Sequence, residues 1–353
     1  MTASAFDHPY LSGLLGDEEI SAFFSAEADI RAMLAFETAL VRAQAEHGIV
    51  SKETATRIAE ICATFQPDVL ALRHAVATDG VVIPDLVRQL RIAVGGEAAE
   101  KVHFGATSQD VIDTSLMLRL KAATAVLSKR LTTITGSFDQ LTRTWGTNRL
   151  MGHTRMQAAI PITVSDRLSA WSSPLIDYRD RLEQLQKVSF PVQFGGAAGT
   201  LEKLGAKASS VRATLAKNLD LSDRPQWQSQ RSVIADLAHP LSLVTGSLGK
   251  FGQDIALLAQ AGDDIALSGG GASSAMPHKQ NPVTAEALVS LARFNAVQLS
   301  GLHQSMVHEQ ERSGAAWTLE WMILPQMVIA CGASTRLALT LAGQIKRLGV
   351  PGA

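Results

Sequence analysis

The chain has 353 residues, of which 46% are hydrophobic and 18% charged, and its formal net charge is −1. This balance argues against nucleic acid as a partner, and a charged fraction below the usual ~25% predicts a surface covered by partner subunits. Two distant cysteines, no signal-peptide pattern and no run of about 18 apolar residues predict a cytoplasmic protein without a membrane span.

The first hundred residues predict short helical pieces, with one longer helix from Ala28 to His47. Residues 1–104 are therefore expected to form a smaller N-terminal helical domain. An apolar stripe with a spacing of three and four residues follows and predicts one helix about 45–50 Å long. Its members are Leu116, Leu120, Ala123, Leu127, Leu131, Ile134, Phe138, Leu141 and Trp145, with Gly146 as the expected stop.

A second stripe runs from Leu237 to Ile265, with Pro240 near its start. Less regular helical stretches cover roughly 162–187, 283–306 and 317–346, and no alternating run of convincing length predicts a strand. Helices of this length indicate an elongated all-α bundle over residues 105–346, followed by a tail at 347–353.

Three polar segments interrupt the helical pattern. The first, His103–Asp110, precedes the long helix, where Thr107 and Ser108 would meet exposed N–H groups that favour anions. Capping of the helix by Ser108 or Asp110 is the structural alternative. The second, Gly152–Gln157, concentrates donors for carboxylates, and a solvated turn is the structural alternative for the same residues.

The third segment, Gly269–Pro282, combines three glycines with two serines, Lys279 and Asn281. Glycines let backbone N–H groups approach a ligand, and the polar residues suit a carboxylate substrate that gains negative charge during reaction. A flexible connector between helices is the alternative. The sequence lacks metal-ligand spacing, a nucleophile elbow and nucleotide-binding fingerprints, which predicts metal-free and cofactor-free acid–base chemistry.

Together these segments and the helical pattern resemble the fumarase/aspartase superfamily. Its signature loop reads Gly-Ser-Ser-x-Met-Pro-x-Lys-x-Asn, and the run from Ala272 to Asn281 departs only at the leading glycine. The resemblance extends from the helix at Ile30–Val50 to the segment Glu309–Ser313. It implies elongated helices and active sites built from segments of different subunits in a homotetramer.

Three further segments resemble the branch of bacterial 3-carboxy-cis,cis-muconate cycloisomerases. They are Gly80-Val-Val-Ile-Pro84, Gln193-Phe-Gly-Gly-Ala-Ala-Gly-Thr-Leu201 and Trp227-Gln-Ser-Gln-Arg231. The resemblance implies a lactonization in protocatechuate (β-ketoadipate) catabolism, in which a carboxylate of a small polycarboxylate substrate adds across a conjugated double bond to give 4-carboxymuconolactone. Adenylosuccinate lyase or another fumarate-releasing lyase is the rival interpretation, and a non-catalytic helical scaffold is a third.

Two departures from the superfamily pattern matter. Many relatives have histidine in the second segment where this chain has Arg155, with His153 two residues earlier. Arginine stays protonated in proteins and cannot shuttle protons, which disfavours elimination and fits a substrate carboxylate that is itself the nucleophile. Relatives also continue into a C-terminal helical domain, which is expected to be absent here.

The resemblance assigns roles to individual residues. Residues expected to act in catalysis are Ser273 as loop acid/base, Ser274 as second choice, His153 and His103 as titratable alternatives, and Arg155. Residues expected to bind substrate are Thr107, Ser108, Thr154, Gln157, Arg231, Met276, Lys279 and Asn281. Donors among these would stabilise the developing aci-carboxylate, while Arg155 and Arg231 would hold the other carboxylates.

Overall fold

The computed structural model describes residues 4–188, 190–272, 275–276 and 280–352, and this part of the chain is mainly helical, as predicted. The α-helices are α1 (Ser12–Leu15), α2 (Glu18–Ala22), α3 (Ala26–Glu46), α4 (Lys52–Thr64), α5 (Val69–Asp79), α6 (Ile83–Val94), α7 (Ser108–Trp145), α8 (Val164–Val188), α9 (Ala208–Asn218), α10 (Ser232–Ala261), α11 (Val283–Gln304) and α12 (Gly314–Gln344). The strands are β1 (Arg149–Thr154), β2 (Gln157–Thr163), β3 (Ile265–Leu267) and β4 (Ile345–Leu348).

Helix α7 is the long helix that the first apolar stripe predicts. It has 38 residues, which correspond to about 57 Å, with Thr107 as N-cap and Gly146 after its last residue. The stripe is buried from Leu116 to Phe138. The helix is longer than expected because residues 108–115, which are mostly polar and show no stripe, form its first two turns and are largely buried too.

Helices α7, α8, α10, α11 and α12 pack together as an elongated bundle. Helices α7, α10 and α12 run in one direction, and α8 and α11 return between them. In its core the rings of Phe138 and Trp171 each lie within contact of Phe251, with ring centroids 5.0 Å apart in both pairs. We call the end of the bundle at Thr107 the head end and the end at Gly146 the tail end.

A second apolar core belongs to helices α3 to α6 and the start of α7. Val192, Phe194, Leu215 and Trp317 also pack in this core, so segments from later in the chain complete it. The predicted domain boundary near residue 104 stays a prediction, because the second core includes residues on both sides of it.

The expectation of a chain without strands is wrong. Strands β1 and β2 form an antiparallel hairpin in which Arg149 lies opposite Thr163. Its two-residue turn consists of Arg155 and Met156, whose φ angles of 47° and 65° are uncommon for residues other than glycine. The sequence hides this hairpin because it has neither a glycine or asparagine in the turn nor a clean alternation of apolar and polar residues.

The second stripe also ends differently from the prediction. Helix α10 stops at Ala261, where Gly262 adopts a φ of 87° and caps it. Ile265 therefore lies in β3, opposite Leu348 of β4. Leu348 is fully buried, so the predicted tail begins within a strand that packs against the bundle.

Helix α12 is long and apolar enough to cross a membrane by length and composition, although the sequence predicted no such span. Within the described residues it is the one helix with this property, and 67% of its most apolar window is buried inside the protein. A core helix of a folded protein has the same features, so this finding is weak evidence for a span.

Candidate active site

The head end is organised around the N-terminus of α7. The carboxylate of Asp110 accepts hydrogen bonds from the N–H groups of Thr107, Gly195 and Gly196 at 3.0, 2.8 and 2.9 Å. Burial raises the pKa of Asp110 to about 6, against the effect of these hydrogen bonds. Asp110 thus caps α7 and also ties the glycine-rich loop at 193–200 to it.

Two of the predicted substrate-binding residues, Thr107 and Ser108, lie at this helix start and are half-buried. The first N–H groups of an α-helix have no partner within the helix, and the helix dipole favours negative charge near them. The capping box occupies the N–H groups of Thr107 and Asp110 and leaves those of Ser108 and Gln109 for a carboxylate, so substrate binding by Thr107 and Ser108 stays a prediction.

Arg231 does not fit its predicted role as a ligand for a substrate carboxylate. Its side chain is fully buried and lies 2.6 Å from a carboxylate oxygen of Asp113 and 2.6 Å from one of Glu320. The guanidinium also stacks on Trp227, 4.6 Å from the ring centroid. Burial works against its charge, but the two carboxylates outweigh burial and raise the pKa of Arg231. Arg231 therefore stabilises the protein interior and is not exposed to bind a substrate.

Arg312 is an exposed cation at the head end that the sequence interpretation did not single out. Its Nε donates to Oε1 of Gln109 at 2.9 Å, and one of its terminal nitrogens donates to the carbonyl oxygen of Ala197 at 3.3 Å. No described carboxylate forms an ion pair with it. The segment Glu309–Ser313, part of the resemblance, was the only signal that could have pointed to it.

His103 precedes this helix start by a few residues and pairs with a buried carboxylate. Its Nδ1 lies 2.6 Å from Oε1 of Glu37 on α3, and the side chain of Glu37 is only 3% exposed. His103 is thus one predicted catalytic residue that the structure places at the head end.

The second polar segment lies at the tail end, on the hairpin of β1 and β2. His153, Thr154, Arg155 and Gln157 are all exposed there. Nδ1 of His153 lies 3.1 Å from the carbonyl oxygen of Met151, and no described side chain orients the ring otherwise. In the part of the chain that the structure describes, the hairpin leaves these four side chains exposed.

The described residues of the third segment also lie at the tail end. The backbones of Gly271 and Asn281 exchange two hydrogen bonds of 2.9 and 3.0 Å, which closes the loop at its base. A cavity of about 500 Å³ lies beside this base and includes Asn281 and Gln344 in its lining. Met276 is 43% exposed, whereas Ser273, Ser274 and Lys279 lie outside the described residues.

Among the residues that the structure describes, one copy of the chain therefore does not bring the predicted site residues together. Thr107 lies at the head end, while Thr154 and Asn281 lie at the tail end. The two groups are separated by the full length of α7, about 57 Å. Residues of both groups can meet around one substrate only if they come from different copies of the chain.

Comparison with known proteins agrees with the resemblance seen in the sequence. A family model described as Lyase matches residues 8–296. The 3-carboxy-cis,cis-muconate cycloisomerase of Pseudomonas aeruginosa is 39% identical over 328 residues, which cover 91% of this chain and 72% of that protein. The N-acetyl-S-(2-succino)cysteine lyase of Enterococcus italicus is 30% identical over 332 residues, which cover 93% of this chain and 73% of that protein.

A solved structure gives the same result for the fold. The 3-carboxy-cis,cis-muconate lactonizing enzyme of Pseudomonas putida superposes with a TM-score of 0.90 at 35% sequence identity. The match covers 96% of this chain and 77% of that one. The chain therefore belongs to the fumarase/aspartase superfamily of lyases, as the three polar segments predict.

Proposed function

We propose that the chain is a 3-carboxy-cis,cis-muconate cycloisomerase that forms 4-carboxymuconolactone in the breakdown of aromatic acids. One observation carries the proposal: four relatives with this name are 33–39% identical to the chain over 91–94% of its length. Two buried free cysteines, Cys62 and Cys331, support a cytoplasmic location.

The chemistry requires donors where negative charge develops. One substrate carboxylate adds to the conjugated double bond, and charge accumulates on the acceptor carboxylate. The N–H groups at the start of α7 and the guanidinium of Arg312 would face this polycarboxylate from the head end. Asn281 would face it from the tail end, and we assign Lys279 of the same sequence segment to it as a cation. Loss of one such donor typically costs ~10²–10³ in rate.

Ring closure also takes up one proton at carbon. Ser273, Ser274, His103 and His153 are the candidate donors, because each side chain can carry a transferable proton. Arg155 cannot give one up at neutral pH, so we assign it to a carboxylate of the substrate.

We infer in addition that the active form is a homotetramer with shared sites. The separation of the polar segments along α7 supports sharing, since one copy holds them at opposite ends. The exposed hairpin supports it too, because an isolated two-stranded hairpin is marginally stable in water and gains from a covering partner.

An ultraviolet assay tests the reaction. The protein is expected to consume 3-carboxy-cis,cis-muconate with saturation kinetics and to leave adenylosuccinate unchanged. Turnover of adenylosuccinate alone would refute the proposal. Lack of turnover on both, and on other succinyl-substituted substrates, would favour a non-catalytic scaffold.

Complementation tests the shared site. Arg312→Ala removes a head-end group and Gln157→Ala a tail-end group, and each variant alone should have low activity. Random co-assembly of the two would leave about a quarter of the sites with both wild-type groups. Co-expression should therefore restore activity, whereas co-expression of Arg312→Ala with Ser108→Ala, two head-end variants, should not. Equal activity in both mixtures would contradict sharing.

A fumarate-releasing lyase is the second candidate function. The relative from Enterococcus italicus, whose name describes cleavage of a succinylated cysteine, favours it at 30% identity. N-acetyl-S-(2-succino)cysteine therefore belongs in the same ultraviolet assay, where growth of the fumarate absorbance would identify this activity.

A further inference from the structure

The pair formed by Glu37 and His103 has the geometry of a histidine held by a carboxylate. Oε1 of Glu37 lies 2.6 Å from Nδ1 of His103, which is a short hydrogen bond of the charge-assisted kind. Glu37 lies on α3 between residues of the second apolar core, including Phe36 and Leu40. A carboxylate buried in such surroundings is costly unless it is paired, so its placement depends on His103.

The imidazole keeps one nitrogen available. Its side chain is 13% exposed, and Nε2 has no hydrogen-bond partner among the described residues. A carboxylate that accepts from Nδ1–H fixes the proton on that nitrogen and leaves Nε2 to exchange protons with a ligand. This division of roles between the two nitrogens is the one that general acid–base catalysis by histidine requires.

The backbone fixes His103 in a tight turn that leads into the start of α7. His103 has a φ of 63°, a conformation that residues other than glycine rarely adopt. Its carbonyl oxygen accepts from the N–H of Ala106 at 3.3 Å, which folds the chain back just before Thr107. Gln44 on α3 secures the turn through a 2.7 Å hydrogen bond to the carbonyl oxygen of Phe104.

Among the described residues, no other charged or titratable group pairs with His103 in place of Glu37. Arg91 on α6 donates to the carbonyl oxygen of Val102, one residue before His103. Lys101 lies over the ring of Phe104. On α4, burial and, to a smaller extent, the negative charge of Glu37 raise the pKa of Cys62 to about 11, so that the thiol stays neutral.

We propose that Glu37 is a positioning residue that holds His103 with Nδ1 protonated, so that Nε2–H delivers the proton taken up in ring closure. In this step the bond between Nε2 and hydrogen breaks, and its proton forms the new C–H bond with the electron pair of the aci-carboxylate. The ring becomes neutral and regains a proton from solvent. The inference rests on the proposed cycloisomerase function and selects one of the four candidate donors.

The test compares Glu37→Gln, Glu37→Asp and His103→Gln in the intact protein. Glu37→Gln keeps the shape of the side chain but lets the amide stabilise the wrong tautomer, so kcat should fall about 10²-fold or more with little change in KM. Glu37→Asp keeps the charge and should recover part of this loss. In the double variant, Glu37→Gln should add little to the loss caused by His103→Gln.

Asp29→Asn is the matched control, because it too removes a carboxylate from α3. Asp29 pairs with Arg119 and not with His103. Its kcat should stay near that of the wild type. Nitrogen-15 spectra of histidine-labelled protein, assigned with His103→Gln, should show Nδ1–H in the wild type and a changed tautomer in Glu37→Gln.

The outcomes separate the two proposals. Wild-type protein without turnover of 3-carboxymuconate would refute the proposed function, and the tautomer measurement would still decide the positioning of His103. Normal wild-type turnover with an undiminished kcat in folded Glu37→Gln, or additive losses in the double variant, would overturn the role of Glu37 alone. A proton found on Nε2 instead of Nδ1 in the neutral ring would overturn it as well.

Discussion

Gly252 of α10 approaches Ala285 of α11 so closely that a Cβ on Gly252 would lie 2.6 Å from the carbonyl oxygen of Ala285. The obstacle is backbone, which cannot rotate away like a side chain. We therefore expect Gly252→Ala to destabilise the protein by ~1–3 kcal/mol, because it forces the two helices apart.

Gly246 provides the control for this prediction. It lies on the same helix, and a Cβ there would meet nothing within 4 Å. Gly246→Ala should stabilise the protein by up to ~1 kcal/mol, since alanine favours helix. Urea unfolding followed by circular dichroism measures both changes, and equal effects of the two substitutions would contradict the close packing of α10 on α11.

Replacement of Arg231 by methionine should be strongly destabilising. It leaves the carboxylates of Asp113 and Glu320 buried without their cation, which typically costs ~3–5 kcal/mol. Arg31→Met, which breaks the exposed pair with Glu27, should cost less than ~1 kcal/mol. Urea unfolding distinguishes them. A normally stable Arg231→Met with a raised KM would instead return Arg231 to substrate binding.

Arg312→Ala should weaken substrate use in a protein that still folds. A hydrogen bond to a charged group contributes ~1.5–3 kcal/mol, so kcat/KM should fall about 10–100-fold. The free energy of unfolding should fall by ~1–3 kcal/mol, because the substitution leaves the buried Oε1 of Gln109 without its donor, and thermal unfolding shows whether the variant stays folded under assay conditions. Arg73→Ala, at an exposed arginine on α5, is the control and should keep wild-type kinetics. An unaltered kcat/KM in Arg312→Ala would exclude it from the site.

Asp110 predicts a specific dependence of stability on pH. Burial raises its pKa in the folded protein to about 6, above the ordinary value of 3.8. The folded state thus binds the proton more tightly than the unfolded state. The contribution of Asp110 to stability is complete below pH ~4 and is lost as pH rises through ~6, by an amount on the order of 2–3 kcal/mol.

The Asp110→Asn variant isolates this contribution from those of other groups. The free energy of unfolding of the wild type, minus that of the variant, should fall between pH 4 and 6.5. Only the wild type loses stability in this range, because only it carries the ionising carboxyl group of Asp110. Urea titrations at several pH values measure it. A difference that does not vary with pH would show that Asp110 is not responsible.

The sequence predicts the bundle well for a physical reason. Apolar residues that repeat every three or four positions line up on one face only in a helix, and burial of that face stabilises the helix. The stripe that ends at Trp145 lies on such a helix. Residues 108–115 carry no such stripe, because their helix is enclosed on several sides by polar contacts. The sequence therefore indicates the start of α7 only through Thr107, Ser108 and Asp110, and the structure makes Thr107 rather than Ser108 the N-cap.

The candidate site was harder to predict, because residue type does not determine exposure. Arg231 and Arg312 are both arginines in polar segments, yet one is enclosed by Asp113 and Glu320 and the other is exposed. Their difference depends on partners far away in the sequence. The hairpin at Arg155 was missed for a related reason, since its turn uses residues that rarely form such turns.

The salt bridges of Arg231 give three helices a common reference point. Asp113 lies in the second turn of α7, Arg231 directly precedes α10, and Glu320 lies in the second turn of α12. Sliding any of these rods by one turn would shift a charge by about 5.4 Å and break the triad. An insertion or deletion within one of these helices must therefore shift the end of the helix that lies away from the Arg231 salt bridges. Variation in rod length among homologues should accordingly move the hairpin and the glycine–serine loop, and leave the charged anchor in place.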